Sequence, residues 1–310
     1  MGNTADVSIV ICAYTEARWP DLLAALRSLE RQNTQPREVI VVIDHNPRML
    51  QRAREELTSV ISLENEGPSG ASGARNSGAS VARGEILAFL DDDTRATPAW
   101  LEQMAPHLTD PRVLGAGGKL EPEWLDGRPS WFPDEFNWVV GGSYRGMPEQ
   151  VSAVRNVWSA NMAMRRRTFE ALGGFRSGFG KVGACSRPED TDLCIRALQR
   201  WPGGVWLYEP RAVVFHRVPS DRTSWHYFIS RCYNEGAGKA QLSRMVGAAH
   251  SLSAEGRYTY RTLPLAVARN LGDALWRRDP AGLGRAGAIV AGLTVAAAGY
   301  ASGLIRTGLT

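Results

Sequence analysis

The chain of 310 residues is 44% hydrophobic and 22% charged, which is enough apolar material for one large domain or two ordinary ones. This composition excludes a disordered or collagen-like chain, and the lack of an internal repeat argues against a solenoid or a propeller. The four cysteines are far apart and form no CxxC pair, which argues against a zinc or disulfide scaffold and favours a reducing compartment.

The formal net charge of +4 is unevenly distributed along the chain. Residues 211–310 carry 13 Lys and Arg against 5 Asp and Glu, a net charge of +8, which leaves −4 for residues 1–210. A basic segment is typical of contact with phospholipid or nucleic acid, and an acidic body can gather carboxylates around a metal ion. A solvated surface is the simpler explanation of the charge alone.

Apolar strands and amphipathic helices alternate in the first half of the chain. We predict strands at 7–13, 39–43, 60–63 and 86–90, and helices at 20–31, 48–57 and after the loop 64–72, the last one ended by Gly84 in a left-handed cap. This alternation predicts an α/β fold with a mostly parallel central sheet and helices on both faces. Because such sheets bind ligands at the carboxyl ends of their strands, the residues after each strand are candidate site residues.

The alternation weakens after residue 110, where four tryptophans appear between positions 124 and 158. We interpret this part as less regular loops on the acceptor side of a cleft. Residues 221–245 again have helical periodicity. With no linker rich in Ser or Gly in between, we predict a catalytic domain at 1–220 and a helical, basic and apolar extension at 221–310.

The two ends of the chain bear on its location. Residues 1–6 lack the positive region of a secretory signal, so we expect the catalytic part in the cytoplasm. Residues 286–305 form an uncharged stretch of 20 residues, long enough in principle to cross a bilayer. Because Ala and Gly dominate it, we expect it to lie on a membrane or pack on the protein rather than to span.

Three aspartates, Asp91, Asp92 and Asp93, directly follow the predicted strand 86–90. Burying carboxylates together costs many kcal/mol unless a cation compensates them, and oxygen ligands favour Mg²⁺ or Mn²⁺. Asp91 and Asp93 point to one side of an extended segment and Asp92 to the other. The alternative is a solvated loop with a turn or helix cap near Pro98.

A second acidic cluster, Glu189, Asp190 and Asp192, opens a predicted helix after the glycine-rich segment 173–183. A carboxylate beside a mobile loop is well placed to act as a general base. The ordinary explanation is that acids are favoured in the first turn of a helix and that Asp192 forms an i,i+4 ion pair with Arg196. His216, which follows another apolar strand, is a candidate metal ligand or a structural hydrogen-bonding group.

Other phosphate-handling classes fit less well. A dehalogenase-type phosphatase needs DxDx[TV] after its first strand, whereas here the aspartates follow the fourth strand and Arg95 stands in the last position. A dinucleotide-binding fold needs GxGxxG after the first strand, and the glycines of 70–73 come two strands too late. A sugar nucleotidyltransferase needs a Gly-rich basic loop at the same place, which 13–18 does not provide.

In order and spacing, these segments resemble the family 2 glycosyltransferases of the GT-A fold over roughly residues 7–220. Asp91 to Asp93 match the DxD motif, Glu189-Asp190 matches the ED motif, and 158–162 is similar to the segment before the acceptor loop. The usual DDGS is here Asp44 followed by His, Asn and Pro. The resemblance implies nucleotide contacts from Ala13, Tyr14, Glu16, Asp44, Arg75, Asn76 and Asp92, and acceptor-side positions at Trp158, Asn161 and Asp192.

The resemblance further implies a nucleoside diphosphate sugar donor, inversion at the anomeric carbon, and Mn²⁺ or Mg²⁺ bound by Asp91, Asp93 and His216. Asp190 is the expected base, and Glu189 positions either the acceptor or Asp190. UDP is the default nucleotide, with GDP and dTDP left open.

Segment 216–233 is similar to members that act on polyprenyl-phosphate-linked glycans of the cell envelope. We therefore expect a saccharide or polyprenyl-linked acceptor, an anionic membrane surface as a partner on the cytoplasmic face, and no nucleic acid. A non-catalytic nucleotide-sugar-binding protein and a sugar nucleotidyltransferase are the alternatives.

Overall fold

The computed structural model describes residues 4–182, 185–247 and 255–306. The strands are β1 Thr4–Ala13, β2 Gln35–Ile43, β3 Ile61–Glu64, β4 Ile86–Asp91, β5 Thr94–Ala96, β6 Val113–Trp124, β7 Ser152–Val154, β8 Asn161–Arg165, β9 Gly180–Val182, β10 Cys185–Arg187 and β11 Val205–Val218. The helices are α1 Trp19–Glu30, α2 Pro47–Glu56, α3 Ala71–Val81, α4 Trp100–Met104, α5 Arg166–Ala171, α6 Glu189–Arg200, α7 Trp225–Val246, α8 Leu263–Trp276 and α9 Ala281–Arg306.

The main sheet has the strand order β3-β2-β1-β4-β8-β6-β11-β5, with β7 added on β11. The strands β3, β2, β1 and β4 pair in parallel, and the connections between β1 and β4 contain α1, α2 and α3, which supply the crossovers that parallel neighbours need. β8 pairs antiparallel with both β4 and β6. The predicted α/β fold is confirmed, and the sheet is mixed, with the parallel pairing in the first half of the chain.

Helices cover both faces of this sheet, as predicted. Ile9 and Ile11 of β1 belong to a buried core that includes side chains of α1, α2 and α4. Val10, which lies between them and points to the other face, belongs to a second core with side chains of α3, α5 and α6. The sequence of β1 is therefore a nearly continuous apolar run, because both faces of this strand are buried.

The end of α3 differs from the expectation. The helix ends at Val81, and Ala82 takes an extended conformation, so Gly84 is not its left-handed cap. Gly84 instead lies against β1, where a Cβ atom would stand 2.6 Å from the backbone nitrogen of Ser8. Close approach of two backbones, and not a positive φ, is the reason for glycine at this position.

The chain forms two compact units, the first within Met1–Leu120 and Pro148–Phe215, the second within Glu121–Met147 and His216–Thr310. The second unit takes in residues 121–147, which our sequence-based division placed in the catalytic domain. Aromatic packing explains the difference, because the ring of Phe228 in α7 lies 5.5 Å from that of Phe132 and 5.3 Å from that of Phe136. Such contacts across about 90 residues of chain leave no local signal.

The second unit ends in the long helix α9, which contains the uncharged stretch noted in the sequence. Residues Ala281–Ile305 are long and apolar enough to cross a membrane, and 22% of the most apolar window is buried inside the protein. Leu283, Val290 and Ile305 expose more than half of their surface. Packing on α7 and α8 therefore covers only part of this apolar helix.

Candidate active site

Three parallel strands end at the same edge of the first unit. Ala13 at the end of β1 pairs with Ile43 of β2, and Cys12 pairs with Asp91 of β4. Residues that follow these strands therefore meet at this edge, as the sequence predicted. Burial raises the pKa of the Cys12 thiol to about 12, so this cysteine is a neutral part of the edge.

Asp44, the first residue after β2, holds the loop that leads into α3. Its Oδ1 accepts a hydrogen bond of 2.6 Å from the Asn65 side chain, and its Oδ2 accepts one of 2.8 Å from the backbone nitrogen of Gly70. Ser69 donates a further hydrogen bond to Oδ2. Asp44 thus positions the loop, and its predicted contact with the nucleoside base stays a prediction.

Arg75 of α3 joins the two acidic clusters. Its guanidinium donates to Asp91 Oδ1 at 2.7 Å and to Glu189 Oε1 at 2.9 Å, and the side chain is 4% exposed. Burial alone would lower the pKa of Arg75, but the charges of Asp91 and Glu189 raise it above its ordinary value. The end of β4 and the start of α6 therefore face the same cationic group.

Asp92 and Asp93 share a second cation, Arg18, which lies in the loop after β1. Arg18 Nη1 is 3.0 Å from Asp92 Oδ1 and 3.2 Å from Asp93 Oδ2, and both aspartates are buried. Burial, and next the charge of Asp93, raises the pKa of Asp92 to about 7. Arg18 was not predicted as a site residue, because its one signal in the sequence is a basic residue five positions after the end of β1.

The donor set fits a hard divalent cation. Two guanidinium groups face the four carboxylates just described, and Asp92 Oδ2 is buried with no hydrogen-bond partner among the described residues. No three His, Cys, Asp or Glu side chains in the described part of the chain are grouped to bind a metal by themselves. Substrate and water oxygens would complete the coordination, as is usual for Mg²⁺.

The predicted base, Asp190, lies in the first turn of α6, next to Glu189. Its Oδ1 accepts hydrogen bonds from the backbone nitrogen of Thr191 at 2.6 Å and from the hydroxyl of Thr191 at 3.3 Å. These bonds fix the carboxylate, which is neither fully buried nor fully exposed. A fixed and accessible carboxylate at a helix N-terminus can accept a proton from a bound hydroxyl.

Asp192, two residues after Asp190 in the same helix, has a different environment. It is fully buried, with Arg176 Nε at 3.2 Å from Oδ1 and Arg196 Nε at 2.8 Å from Oδ2. Both of its oxygens are thus held by guanidinium groups that tie α6 to the segment around Gly174, since Arg196 also donates to that carbonyl. Asp192 therefore has a structural role in tying α6 to this segment, and its predicted place on the acceptor side stays a prediction.

Two predicted asparagines are also engaged within the protein. Asn76 exchanges two hydrogen bonds, of 2.8 and 2.9 Å, with the backbone of Phe175. Asn161 is buried in the sheet, where it accepts from Trp100 Nε1 and donates to the carbonyls of Lys119 and Ala212. Each amide holds backbone segments together, which is a role that residue type alone could not reveal.

The remaining predicted residues have other surroundings. Tyr14 exposes 48% of its surface at the strand edge, and the Arg18 guanidinium lies 5.6 Å from its ring. Glu16 begins the next turn, and Trp158 packs partly buried against the first core. His216 belongs to the second unit, where it is buried beside Gly141, and its role as a metal ligand stays a prediction.

Removing the central cation should destabilise the first unit. We expect Arg75→Gln to lower the free energy of unfolding by about 3 kcal/mol, because the carboxylates that it joins lose a buried partner. Arg112→Gln is the matched control, since Arg112 is 77% exposed and a solvent-exposed ion pair such as the one with Asp110 contributes little to stability. Denaturant titration measures both, and equal losses in the two variants would contradict a special role for Arg75.

The chain is similar in sequence to known glycosyltransferases. The family model described as Glycosyl transferase family 2 matches residues 8–173, more than half of the chain. A glucosyl-dolichyl phosphate glucuronosyltransferase of Haloferax volcanii is 29% identical over 238 residues, covering 75% of this chain and 76% of that protein. The succinoglycan biosynthesis protein ExoM of Rhizobium meliloti is 29% identical over 250 residues, covering 77% and 76%.

Solved structures give the same fold. A mannosyltransferase from Pyrobaculum calidifontis, in complex with GDP-Man and Mn²⁺, superposes with a TM-score of 0.56 at 18% identity, covering 93% of this chain and 86% of that one. At this identity the likeness concerns the fold, and it confirms the predicted GT-A type of architecture.

Proposed function

Because the chain belongs to glycosyl transferase family 2, we propose that it transfers a sugar from a nucleoside diphosphate sugar to an acceptor hydroxyl with inversion at the anomeric carbon. The observation that supports this most is the bridge made by Arg75 between Asp91 and Glu189. An inverting transfer needs a diphosphate-binding group and a base close to each other, and this bridge joins the two segments that would carry them.

In this proposal the residues of α6 handle the acceptor. Asp190 accepts the proton of the attacking hydroxyl, with its orientation maintained by the hydrogen bonds from Thr191. Glu189, held by Arg75 and by Ser159 at 3.4 Å, positions the acceptor or keeps Asp190 in place. Because Asp192 is committed to two arginines, it is not a substitute base in the proposal.

The residues at the strand edge handle the donor. Asp91 and Asp93 are the proposed protein ligands of Mg²⁺ or Mn²⁺, which when bound neutralises charge on the leaving diphosphate. Arg18 and Arg75 hold these carboxylates in place, and Tyr14 offers an exposed ring for the nucleoside. We propose UDP as the nucleotide, with GDP and dTDP as the alternatives that the binding test must separate.

For the acceptor we propose a lipid-linked saccharide. Support comes from the two relatives already described, whose names refer to a glucosyl-dolichyl phosphate and to succinoglycan biosynthesis. The partly covered apolar helix α9 supports the same idea, because a lipid-linked acceptor is held in a membrane. We therefore also propose that the protein works at the cytoplasmic face of a membrane.

The membrane proposal predicts binding to anionic vesicles. Trp276 at the end of α8 is 82% exposed and is followed by Arg277 and Arg278, so it combines an apolar ring with cationic neighbours. We expect Trp276→Glu to weaken binding to phosphatidylglycerol vesicles about tenfold in a sedimentation assay. The control is Val81→Glu, an exposed apolar position in the first unit. Equal binding of both variants and wild type would contradict the proposal.

A screen of nucleotide sugars tests the activity. A ligand at about 100 times its Kd should stabilise the protein by about 2.7 kcal/mol, so the true donor is expected to raise the melting temperature when Mn²⁺ is present. The same donors are then incubated with lipid-linked saccharide to detect the transferred sugar. Tight binding without transfer or donor hydrolysis, even after long incubation, would favour a non-catalytic binding protein instead.

A further inference from the structure

The second unit contains a polar cavity of about 340 Å³ that none of the roles above uses. This volume lies at the lower end of the range of about 300–1,000 Å³ found for small-molecule sites. The loop 128–135, Arg145, α8 and α9 form its walls. The lining residues that carry charge are Arg128, Arg145, Arg269, Arg285, Asp134, Glu135 and Asp273.

Glu135 has a buried carboxylate oxygen that lacks a hydrogen-bond partner among the described residues. It is fully buried, its Oε1 accepts from Arg269 Nη2 at 2.7 Å, and Arg145 Nε lies 3.6 Å from the same oxygen. Its Oε2 is buried and has no hydrogen-bond partner among the described residues. A buried carboxylate oxygen without a donor costs free energy, so this atom is suited to receive a donor from a ligand.

The two arginines that contact Glu135 keep hydrogen-bonding capacity. A guanidinium has five N–H groups. Arg269 uses one for Glu135, and Arg145 donates to Asp134 at 2.6 Å. Both side chains remain about half exposed, whereas Arg285 is committed to Asn270 and Asp279. Free N–H groups of Arg145 and Arg269 can therefore donate to an oxygen-bearing anion at the cavity.

The balance of charge limits what that anion can be. Four arginines and three carboxylates line the cavity, an excess of one positive charge. One negative charge on the ligand balances this excess, whereas a diphosphate would bring uncompensated charge next to Glu135. A phosphodiester carries one negative charge, and a sugar attached to it supplies hydroxyl groups that can donate to Glu135 Oε2.

Exposed apolar side chains follow the cavity-lining residues of α8 and precede those of α9. Trp276 comes three residues after Asp273, and Leu283 comes two residues before Arg285, so each lies within one helical turn of a lining residue. Trp276, Leu275 and Leu283 are all largely exposed. A ligand with an anionic head and an apolar chain could contact both kinds of surface at once.

We propose that this cavity binds the glycosyl phosphodiester head of a lipid-linked saccharide, a proposal that rests on the proposed function and names its acceptor class. Arg145 and Arg269 donate to the phosphate oxygens, and Glu135 accepts a hydrogen bond from a hydroxyl of the sugar. The lipid chain leaves along the exposed side chains of the turn between α8 and α9. The cavity thus recognises the acceptor within the second unit.

Calorimetric titration of the full chain with decyl glucosyl phosphate, a soluble glycosyl phosphodiester, tests the site. We expect saturable binding to wild type, weakened at least about tenfold in Arg145→Gln and in Arg269→Gln, because each change removes a cationic donor to the phosphate. Arg112→Gln, an exposed arginine of the first unit, should bind like wild type. Decyl glucoside and decyl phosphate, which have the same alkyl chain, should bind at least about tenfold more weakly, because each lacks one half of the recognised head. Glucose 1-phosphate lacks the alkyl chain, and we expect it to bind more weakly than the diester. Binding as tight as that of the diester would contradict a lipid-linked ligand and indicate a free sugar phosphate.

Absence of saturable binding to wild type, or equal affinity in the cavity variants and Arg112→Gln, would overturn the site. Arg145 is half exposed, so its variant is informative even if Arg269→Gln fails to fold. Binding of UDP with Mn²⁺ is measured on the same samples and should not change. Loss of diester binding with intact UDP binding supports the cavity, whereas lack of binding to UDP, GDP and dTDP alike would refute the proposed function while leaving the cavity result to stand.

Discussion

Replacing Asp190 with Asn is expected to lower the rate of sugar transfer by about 10²–10⁴-fold and to leave nucleotide binding near its wild-type value. The amide keeps the shape of the side chain but cannot accept the proton of the attacking hydroxyl. The bonds that Thr191 donates can still be accepted by the amide oxygen, so α6 should begin as before. Single-turnover assays with the identified donor give the rate, and titration with UDP gives the affinity.

Asp110→Asn is the control for this experiment, because Asp110 is an exposed carboxylate of the first unit that pairs only on the surface with Arg112. It should transfer sugar at the wild-type rate. Full activity of Asp190→Asn would mean that another group is the base. Asp192 would be a poor replacement, because both of its oxygens are bound by arginines in the fully buried side chain.

The second large effect is expected from Asp93. Asp93→Asn should reduce metal-stimulated turnover by about 10²-fold or more, because a metal ion supplies several kcal/mol of charge stabilisation and the amide binds it poorly. Chelation of the metal in the wild-type protein should have the same effect. Turnover is measured as a function of Mn²⁺ concentration, and the variant should need much more metal for half-maximal rate.

The control for this variant is Asp6→Asn, since Asp6 is an exposed carboxylate that pairs with Arg37 on the surface of the first unit. Thermal unfolding of each variant separates loss of metal from loss of structure, because Asp93 also contacts Arg18. Undiminished transfer in excess chelator would show that the reaction needs no metal ion, whatever the behaviour of the variants.

The edge of the sheet could be predicted because its signals are local. Each apolar run marks a buried strand, the connecting helices require parallel pairing, and parallel strands bring Ala13, Asp44 and Asp91 to one edge. The start of α6 could also be predicted, because three acidic residues stand in its first turn. What the pattern could not show is that Arg75 joins the two clusters, because a single arginine in a small-residue helix has many possible partners.

The roles of several side chains depend on packing at long range. Asn161 resembled an acceptor contact by its place in the chain, but its amide is used by three partners 42 to 61 residues away. Asp192 looked like a third acid of the cluster until its two arginines were located. Segment 121–147 joins the second unit through aromatic packing with α7. Sequence spacing carries no information about such contacts.

Crystals grown with UDP and Mn²⁺ test the central claim, that the carboxylates after β4 bind the cation on the diphosphate beside Asp190. Anomalous scattering of manganese locates the ion without reference to the rest of the structure. We expect one anomalous peak, from a manganese ion bonded to a carboxylate oxygen of Asp91 or Asp93 and to the diphosphate. Asp190 should face the same pocket. A diphosphate and manganese bound elsewhere on the molecule would contradict it.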